Sequence, residues 1–282
     1  MHVTLASYNI HFGVGQDGRY DLGRLGRAVA DADILCLQEV TQHWPQTGHE
    51  DQLAVLAGDL DRHAVFGPML SLDASDRDAG GRIRHRRATF GNAILSRWPI
   101  RHARTLLLPK RAQADRFDLQ RVALEAVIDL PGLSLRVYCV HLSDISAARR
   151  RGQVGALRRM VAEAPATGRP WDHTSAFMEF LGHGPFDMPE AVAMLGDFNF
   201  TPAEANYRRL LAPLGGRPFL VDAWERAAPA AAARTYALGP ESDARIDYCF
   251  LGGSLVDRAE RAWIDSGAEG SDHYPLFVSL RI

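Results

Sequence analysis

The sequence predicts an α/β fold in a single domain, 1–282, and three observations carry that reading. Apolar runs of strand length alternate with segments of helical period along the whole chain. No internal repeat and no linker of shifted composition divides it. Hydrophobic residues make up 46% and charged residues 23%, enough apolar material for a large core and too much for global disorder.

In order, residues 3–10 read as a first strand ending in Asn9-Ile10-His11. Gly13-Val14-Gly15-Gln16-Asp17-Gly18 matches the dinucleotide fingerprint G-x-G-x-x-G, and Glu39 follows about twenty residues on. Helical period begins only at Leu22, with Leu25, Val29 and Ala32 on the same face, so a glycine-rich excursion is the simpler account. A buried strand at 34–37 ends in Gln38-Glu39-Val40; 52–60 is helical and 63–66 a short strand. Residues 71–88 form a polar loop holding Arg82, Arg84, His85, Arg86 and Arg87. Strands follow at 90–96, 103–108, 121–129 and 133–141, the last two as partly exposed antiparallel neighbours joined at Pro131-Gly132. A helix spans 150–162 with Val154, Leu157 and Val161 inward, 164–170 is a loop, and 172–182 a further helix.

Ala193-Met194-Leu195-Gly196-Asp197-Phe198-Asn199-Phe200 is a strand buried on both faces that delivers Asp197 and Asn199 to one side and returns Phe198 to the core. Thr201-Pro202 then stops it. By itself this stretch fits a polar active site or a turn in which the two side chains cap backbone donors. Residues 203–211 are helical, 227–233 an alanine-rich stretch, 245–251 a strand, 254–264 an irregular strand and 274–280 the last. Asn9, Glu39, His141, Asp197 with Asn199, Asp247, and Asp272 with His273 all stand in or at the end of strands. Six such places along one chain imply a single polar cleft where strand ends meet.

Ser7-Tyr8-Asn9, Leu37-Gln38-Glu39-Val40, Gly91-Asn92-Ala93-Ile94-Leu95-Ser96-Arg97, Val140-His141-Leu142, Gly196-Asp197-Phe198-Asn199, Arg245-Ile246-Asp247-Tyr248 and Gly270-Ser271-Asp272-His273-Tyr274-Pro275 resemble, in order, the motifs of the endonuclease/exonuclease/phosphatase superfamily. Each is short; the ordered set is specific. The resemblance implies a four-layer α/β sandwich, with two mixed, mainly antiparallel β-sheets face to face and helices outside. It implies a metal-dependent phosphodiester hydrolase of nuclease type, with lipid or small-molecule phosphoester hydrolysis (sphingomyelinase-like or inositol-phosphate-phosphatase-like) as the second reading and an inactive binding relative as the third.

Phosphoester cleavage needs an in-line water, neutralised phosphoryl oxygens and help for the leaving oxygen. Glu39, Asn9 and Asp272 offer hard oxygen ligands for Mg²⁺ or Mn²⁺. The resemblance pairs His273 with Asp247, sets Asp197 to orient or deprotonate the water, and aims Asn199 at a phosphoryl oxygen. It places His141 on the phosphate or leaving group, although a lone strand-end histidine also reads as a satisfied core residue. Arg121 fits a phosphate contact or a strand-end salt bridge, Asn92 and His11 shape the cleft, and Trp44 and Trp171 are candidates to stand near it. Arg82 and Arg84, in the basic loop, fit specificity contacts to the substrate or a solvated mobile loop.

Thirty-two basic and 34 acidic residues leave a net charge of −2, which argues against long-range attraction to nucleic acid or anionic lipid. The Arg before Asp247 lacks the preceding aromatic usual in apurinic-site endonucleases, and Lys110 is remote from the key strands, unlike the lysines of polyphosphate phosphatases. No leader, membrane span or obligate protein partner is evident, and Cys36, Cys139 and Cys249 sit in apolar strand-like runs as reduced thiols. A cytoplasmic protein is the expectation.

Overall fold

In β1 (His2–Asn9) Val3 and Leu5 join one hydrophobic core while Ala6 and Tyr8 join another, so the strand is apolar on both faces. β2 (Ile34–Gln42) repeats the pattern, Ile34 and Cys36 on one side and Leu35 and Leu37 on the other. A strand buried on both faces requires a layer on each. The computed structural model supplies these layers, and describes residues 1–112, 117–171, 187–228, 233–237 and 244–282.

The first sheet is completed by β3 (His63–Asp73), β6 (Arg87–Ser96), β13 (Ala259–Ile264) and β14 (Leu276–Arg281), in the order β13-β14-β1-β2-β6-β3. The second comprises β7 (Ile100–Leu107), β8 (Val122–Leu130), β9 (Leu133–His141), β10 (Val192–Asp197), β11 (Leu220–Asp222) and β12 (Asp247–Gly252), in the order β11-β12-β10-β9-β8-β7. A two-stranded hairpin, β4 (Asp76–Arg77) and β5 (Ile83–Arg84), projects between β3 and β6. Each large sheet holds one parallel pair, β1 with β2 and β9 with β10; the remaining pairings are antiparallel.

Parallel neighbours need a crossover. α1 (Leu22–Val29) makes the first, capped by Asp21 and burying Leu22, Leu25 and Val29. α3 (Ala147–Thr167) lies within the second, capped by Ser146 and burying Val154, Leu157 and Val161. α1 and α2 (Gln52–Leu60) cover the first sheet, and α3 and α4 (Ala205–Leu211) the second. Between the sheets Val3, Leu5, Ile34 and Cys36 meet Val137, Cys139, Leu195 and Cys249. The fold is a four-layer α/β sandwich. A short helix, α5 (Ala223–Ala227), packs Trp224 against one end of that inner core.

Several elements depart from the sequence reading. The loop expected at 71–88 is largely strand, because β3 and β6 run on past 66 and before 90 and carry the hairpin between them. The loop expected at 164–170 begins late, since α3 continues through Pro165 to Thr167. Proline deprives the Val161 carbonyl of its helical donor, and the buried Arg136 guanidinium donates to it instead, 3.2 Å. β8 and β9 are antiparallel as expected but buried, not partly exposed, since each lies between the facing sheet and a helix layer. β10 ends at Asp197, before Thr201-Pro202, and the irregular strand at 254–264 resolves into a 3₁₀ turn, Gly253–Leu255, and β13. The helix expected at 172–182 and most of the alanine-rich stretch lie outside the described residues.

Candidate active site

The two crossover units put four strand ends together. Parallel strands share a direction, so β1 and β2 bring Asn9 and Glu39 to one edge of their sheet, and β9 and β10 bring His141 and Asp197 to one edge of theirs. Parity then chooses the face. Asn9 follows Val3 and Leu5, His141 follows Val137 and Cys139, Asp197 follows Ala193 and Leu195, and Asp247 precedes Cys249 and Leu251. With a side-chain period of two, all four point between the sheets, where the apolar core gives way to polar groups.

Glu39 would face the helices on that count. A register shift between Leu37 and Val40, with Glu39 itself at φ 61°, turns it into the cleft. Gly196 solves another local problem: at φ 153°, a Cβ there would lie 1.8 Å from the Val140 carbonyl oxygen, so only glycine lets β10 approach β9 this closely. Asn199, at φ 51°, turns back so that its side chain joins Asp197 in the lining and donates to the Leu142 carbonyl at 3.1 Å. Phe198 returns to the outer core among Phe200, Tyr248 and Phe250.

The cleft, about 360 Å³, is lined by Asn9, Glu39, Arg121, His141, Asp197, Asn199, Asp272 and His273 among others. Asp197 is its hub. Asn9 Nδ2 donates to Asp197 Oδ2 and to Glu39 Oε1, 3.2 Å each. His141 Nε2 lies 3.4 Å and His273 Nε2 3.8 Å from the same Asp197 oxygen. His273 Nδ1 donates to Asp247 Oδ2 at 2.9 Å, which fixes the ring and aims Nε2 into the cleft. Asp247 is held in turn by Thr235, whose hydroxyl accepts from the backbone N–H groups of Ile246 and Asp247, and Tyr236 sets its ring 5.1 Å from that of His273. The Ser271 hydroxyl donates to the Asn9 carbonyl at 2.7 Å, tying the loop before β14 to the end of β1.

Burial, and then the Asp247 carboxylate, push the Asp197 carboxyl up to about 7. For His273 burial pulls the other way, but the hydrogen-bonded Asp247 and then Asp197 and Asp272 outweigh it and push the imidazole up to about 10. Burial, with the Arg121 and His273 charges adding to it, holds His141 well below its ordinary value. The two histidines therefore differ, one cationic and one neutral. Burial also raises Glu39, against the Asn9 hydrogen bond, and among the described residues Glu39 forms no ion pair.

A half-buried carboxylate facing the cleft with no direct ion-pair partner among the described residues fits a bound cation. The donors facing the cleft are carboxylate and amide oxygens with imidazole, while the three thiols are buried away from it, which is the donor chemistry of a hard divalent ion. Among the described residues Asp197, Asp247 and His273 form a cluster with ligand atoms within 4.8 Å of one another. Glu39, Asn9 and Asp272 lie around it in the same cleft.

Three expected contacts fall elsewhere. Asn92 lies under the cleft, fully buried between the sheets, its amide donating to the carbonyls of Val122 and Cys139 at 3.2 and 3.1 Å. Arg84 is on the exposed hairpin and engages Asp76 through two nitrogens, 2.7 and 2.6 Å; Arg82 is exposed on the same hairpin, and neither lines the cleft. Arg121 lines the cleft and forms the salt bridge of its second reading, with Asp144 at 2.8 Å. His11 stands beside the cleft, 3.8 Å from Asp272, and Trp171 lines neither cavity. Sequence reading missed Arg150 and Glu204, which pair at 3.0 Å in the cleft wall, and also Asp144 and Tyr236. Asp144 and Tyr236 sit in loop segments without a motif, and Arg150 and Glu204 belong to segments read as helices, where no motif marks a polar residue as facing a cleft.

A second cavity, about 480 Å³, adjoins the first. Glu39, Arg121 and Asp144 line both, and the rest of its wall is mainly apolar, including Phe12, Trp44, Leu70, Phe90, Leu119 and Ile145.

A family model described as the Endonuclease/Exonuclease/phosphatase family matches residues 6–273. The chain belongs to this family. Escherichia coli (strain K12) YbhP, itself termed uncharacterized, is 31% identical over 171 residues, 56% of this chain and 59% of that protein. The match thus spans less than two thirds of the curated relative. A solved endonuclease/exonuclease/phosphatase from Beutenbergia cavernae superposes with a TM-score of 0.72 at 22% identity, covering 100% of this chain and 72% of that one. The mannosyl-6-phosphatase of Bacteroides thetaiotaomicron gives 0.64 at 18% identity, covering 99% and 100%. At these identities the likeness to the solved structures is one of fold. Among the described residues no helix is long and apolar enough to cross a membrane.

Proposed function

We propose that the chain is a metal-dependent phosphodiester hydrolase working as one catalytic domain. The observation that carries this reading is the convergence of His141, His273 and Asn9 on the single buried carboxylate of Asp197. Glu39, Asn9 and Asp272 would hold Mg²⁺ or Mn²⁺, which when bound supplies positive charge against the phosphoryl oxygens. His273, cationic and locked by Asp247, presents Nε2–H to a phosphoryl oxygen, and Asn199 adds a neutral donor. Asp197, with its proton affinity matched to neutral pH, orients the attacking water and takes its proton as the oxygen–phosphorus bond forms. His141 turns Nε2 toward the departing oxygen, and the charge of an anionic phosphate beside it favours the protonated ring that hands that oxygen a proton. Arg121, anchored by Asp144, closes the wall at the side of the phosphate.

A nuclease-type substrate is what the family resemblance offers first. Lipid or small-molecule phosphoesters form the second reading, favoured by the apolar cavity that shares a wall with the cleft. The test is turnover of bis(4-nitrophenyl) phosphate against 4-nitrophenyl phosphate with Mg²⁺, Mn²⁺ or EDTA, followed by DNA, RNA and phospholipid. Metal-dependent turnover that favours the diester is expected. Turnover insensitive to EDTA, or a preference for the monoester, would overturn the reading.

A further inference from the structure

We propose that the apolar cavity receives the hydrocarbon chain of an amphiphilic phosphodiester, so that the phosphate cleaved next door belongs to a lipid-like substrate. This rests on the phosphoester reading of the cleft and adds the class of group attached to the phosphate. Continuity is the first support. Glu39, Arg121 and Asp144 face both spaces, so a phosphate held by Arg121 and by a cation at Glu39 would carry its substituent directly into the apolar side. Arg121 is 5% exposed and its Nε is a buried donor with no partner among the described residues, at the boundary where a phosphate oxygen would sit. The volume, about 480 Å³, lies within the range of small-molecule sites.

Chemistry of the lining decides for a chain over a nucleobase. A base presents donors and acceptors along its edge, and a site that reads one must offer matching polar groups. Here several polar groups of the wall are spent within the protein, Asp118 in its pairing with Arg149 at 3.3 Å among them, while Gln46 is exposed. Trp44 Nε1 donates to the Thr89 carbonyl at 2.6 Å, Thr41 and Thr47 bond each other at 3.2 Å, and Thr47 also donates to the Trp44 carbonyl. The rest of the lining is mainly apolar, including Phe12, Phe90, Leu70, Leu119, Ile145 and the Trp44 ring. The wall is also preformed. Phe12, in the left-handed region at φ 56°, is held by Gln52, which donates to its carbonyl at 2.6 Å, and its ring lies 5.5 Å from that of Phe90. An apolar chain entering such a space leaves water without unpairing any protein group.

Binding tests this apart from turnover. Methyl-, hexyl- and decylphosphonate, kept monomeric as checked by light scattering, are titrated into the protein with Mg²⁺ by calorimetry, with adenosine 5′-monophosphate as the nucleotide arm. The Kd should fall by about threefold per added methylene over the first several carbons, near the value for full burial of a CH₂ group. Leu70→Ser and Leu119→Ser should each cut the decyl-over-methyl preference about tenfold, read as a ratio within one variant so that partial loss of folded protein cancels. Equal Kd values for the three phosphonates, an unchanged ratio in both variants, or tighter binding of the nucleotide than of decylphosphonate would overturn the proposal. Chain-length preference without metal-dependent turnover would uphold the cavity and sink the hydrolase reading; turnover without that preference would do the reverse.

Discussion

The polar cleft and the apolar cavity share Glu39, Arg121 and Asp144, yet they are built on opposite terms. In the cleft the side chains hold one another: Asp247 fixes His273, Asn9 bridges Glu39 and Asp197, and Thr235 props the backbone under Asp247. In the cavity Trp44, Thr41 and Thr47 satisfy their polar atoms within the protein, and the surface beyond the shared wall is mainly hydrocarbon. The first arrangement orders charge at an atom; the second only excludes water. Chemistry and selectivity are thus separable in this molecule, and substitutions on the two sides should fail in different ways.

The largest effects belong to the cleft. EDTA should reduce diester turnover to background and Mg²⁺ or Mn²⁺ restore it, whereas Glu39→Ala should stay inactive on metal addition while keeping its circular-dichroism spectrum. His273→Ala should cost on the order of 10²–10⁴ in kcat with both nitrophenyl and alkyl leaving groups. His141→Ala should lose much more on the alkyl diester, because nitrophenolate departs without a proton. Equal losses on both substrates would confine His141 to phosphate binding.

Truncation of the cavity wall should instead show in stability. Phe90→Ala is expected to cost about 2 kcal/mol in urea unfolding, below the usual 3–5 for a core phenylalanine because one side of the ring already borders open space. Asn92→Ala removes the donor shared by the Val122 and Cys139 carbonyls from a fully buried position and should cost about 1–3 kcal/mol. The smallest change is expected on the hairpin. Arg84→Ala should leave the urea midpoint at the parent value, since its pairing with Asp76 is solvent-exposed. A large drop in kcat/KM on a small diester in that variant would show that the hairpin reaches the cleft after all.

What could be read from the sequence follows the same division. Strand ends were legible because a buried strand must be apolar until it stops, so Asn9, His141 and Asp197 stand out against what precedes them. Short motifs such as Gly196-Asp197-Phe198-Asn199 then ordered them. The cavity had no such signature. Phe12, Trp44, Leu70 and Leu119 are single apolar residues in separate turns and strand edges, and only the folding of those segments onto one another makes them a surface. Asn92 was misplaced for a related reason: its neighbourhood in sequence is that of a site residue, but its parity in β6, shared with Ile94, sends it into the middle of the sandwich. The hairpin arginines looked like a substrate clamp because composition says nothing of how far a loop projects.

Asn92 and Gln38 also bear on how the two halves of the molecule stay in phase. Hydrocarbon packing between sheets has no direction and tolerates a small slide. A slide of one residue, roughly 3.3 Å, would carry Asn9 and Glu39 away from His141 and Asp197. Asn92 donates from the first sheet to carbonyls of the second, and Gln38, itself on β2, reaches Cys139 Sγ on β9 at 3.2 Å. These bonds act as dowels through two boards: they hold little weight, but they fix where one board lies over the other. A protein repacked with a larger, better-filled inner core could therefore melt higher and still be a poorer catalyst, with its two half-sites out of alignment.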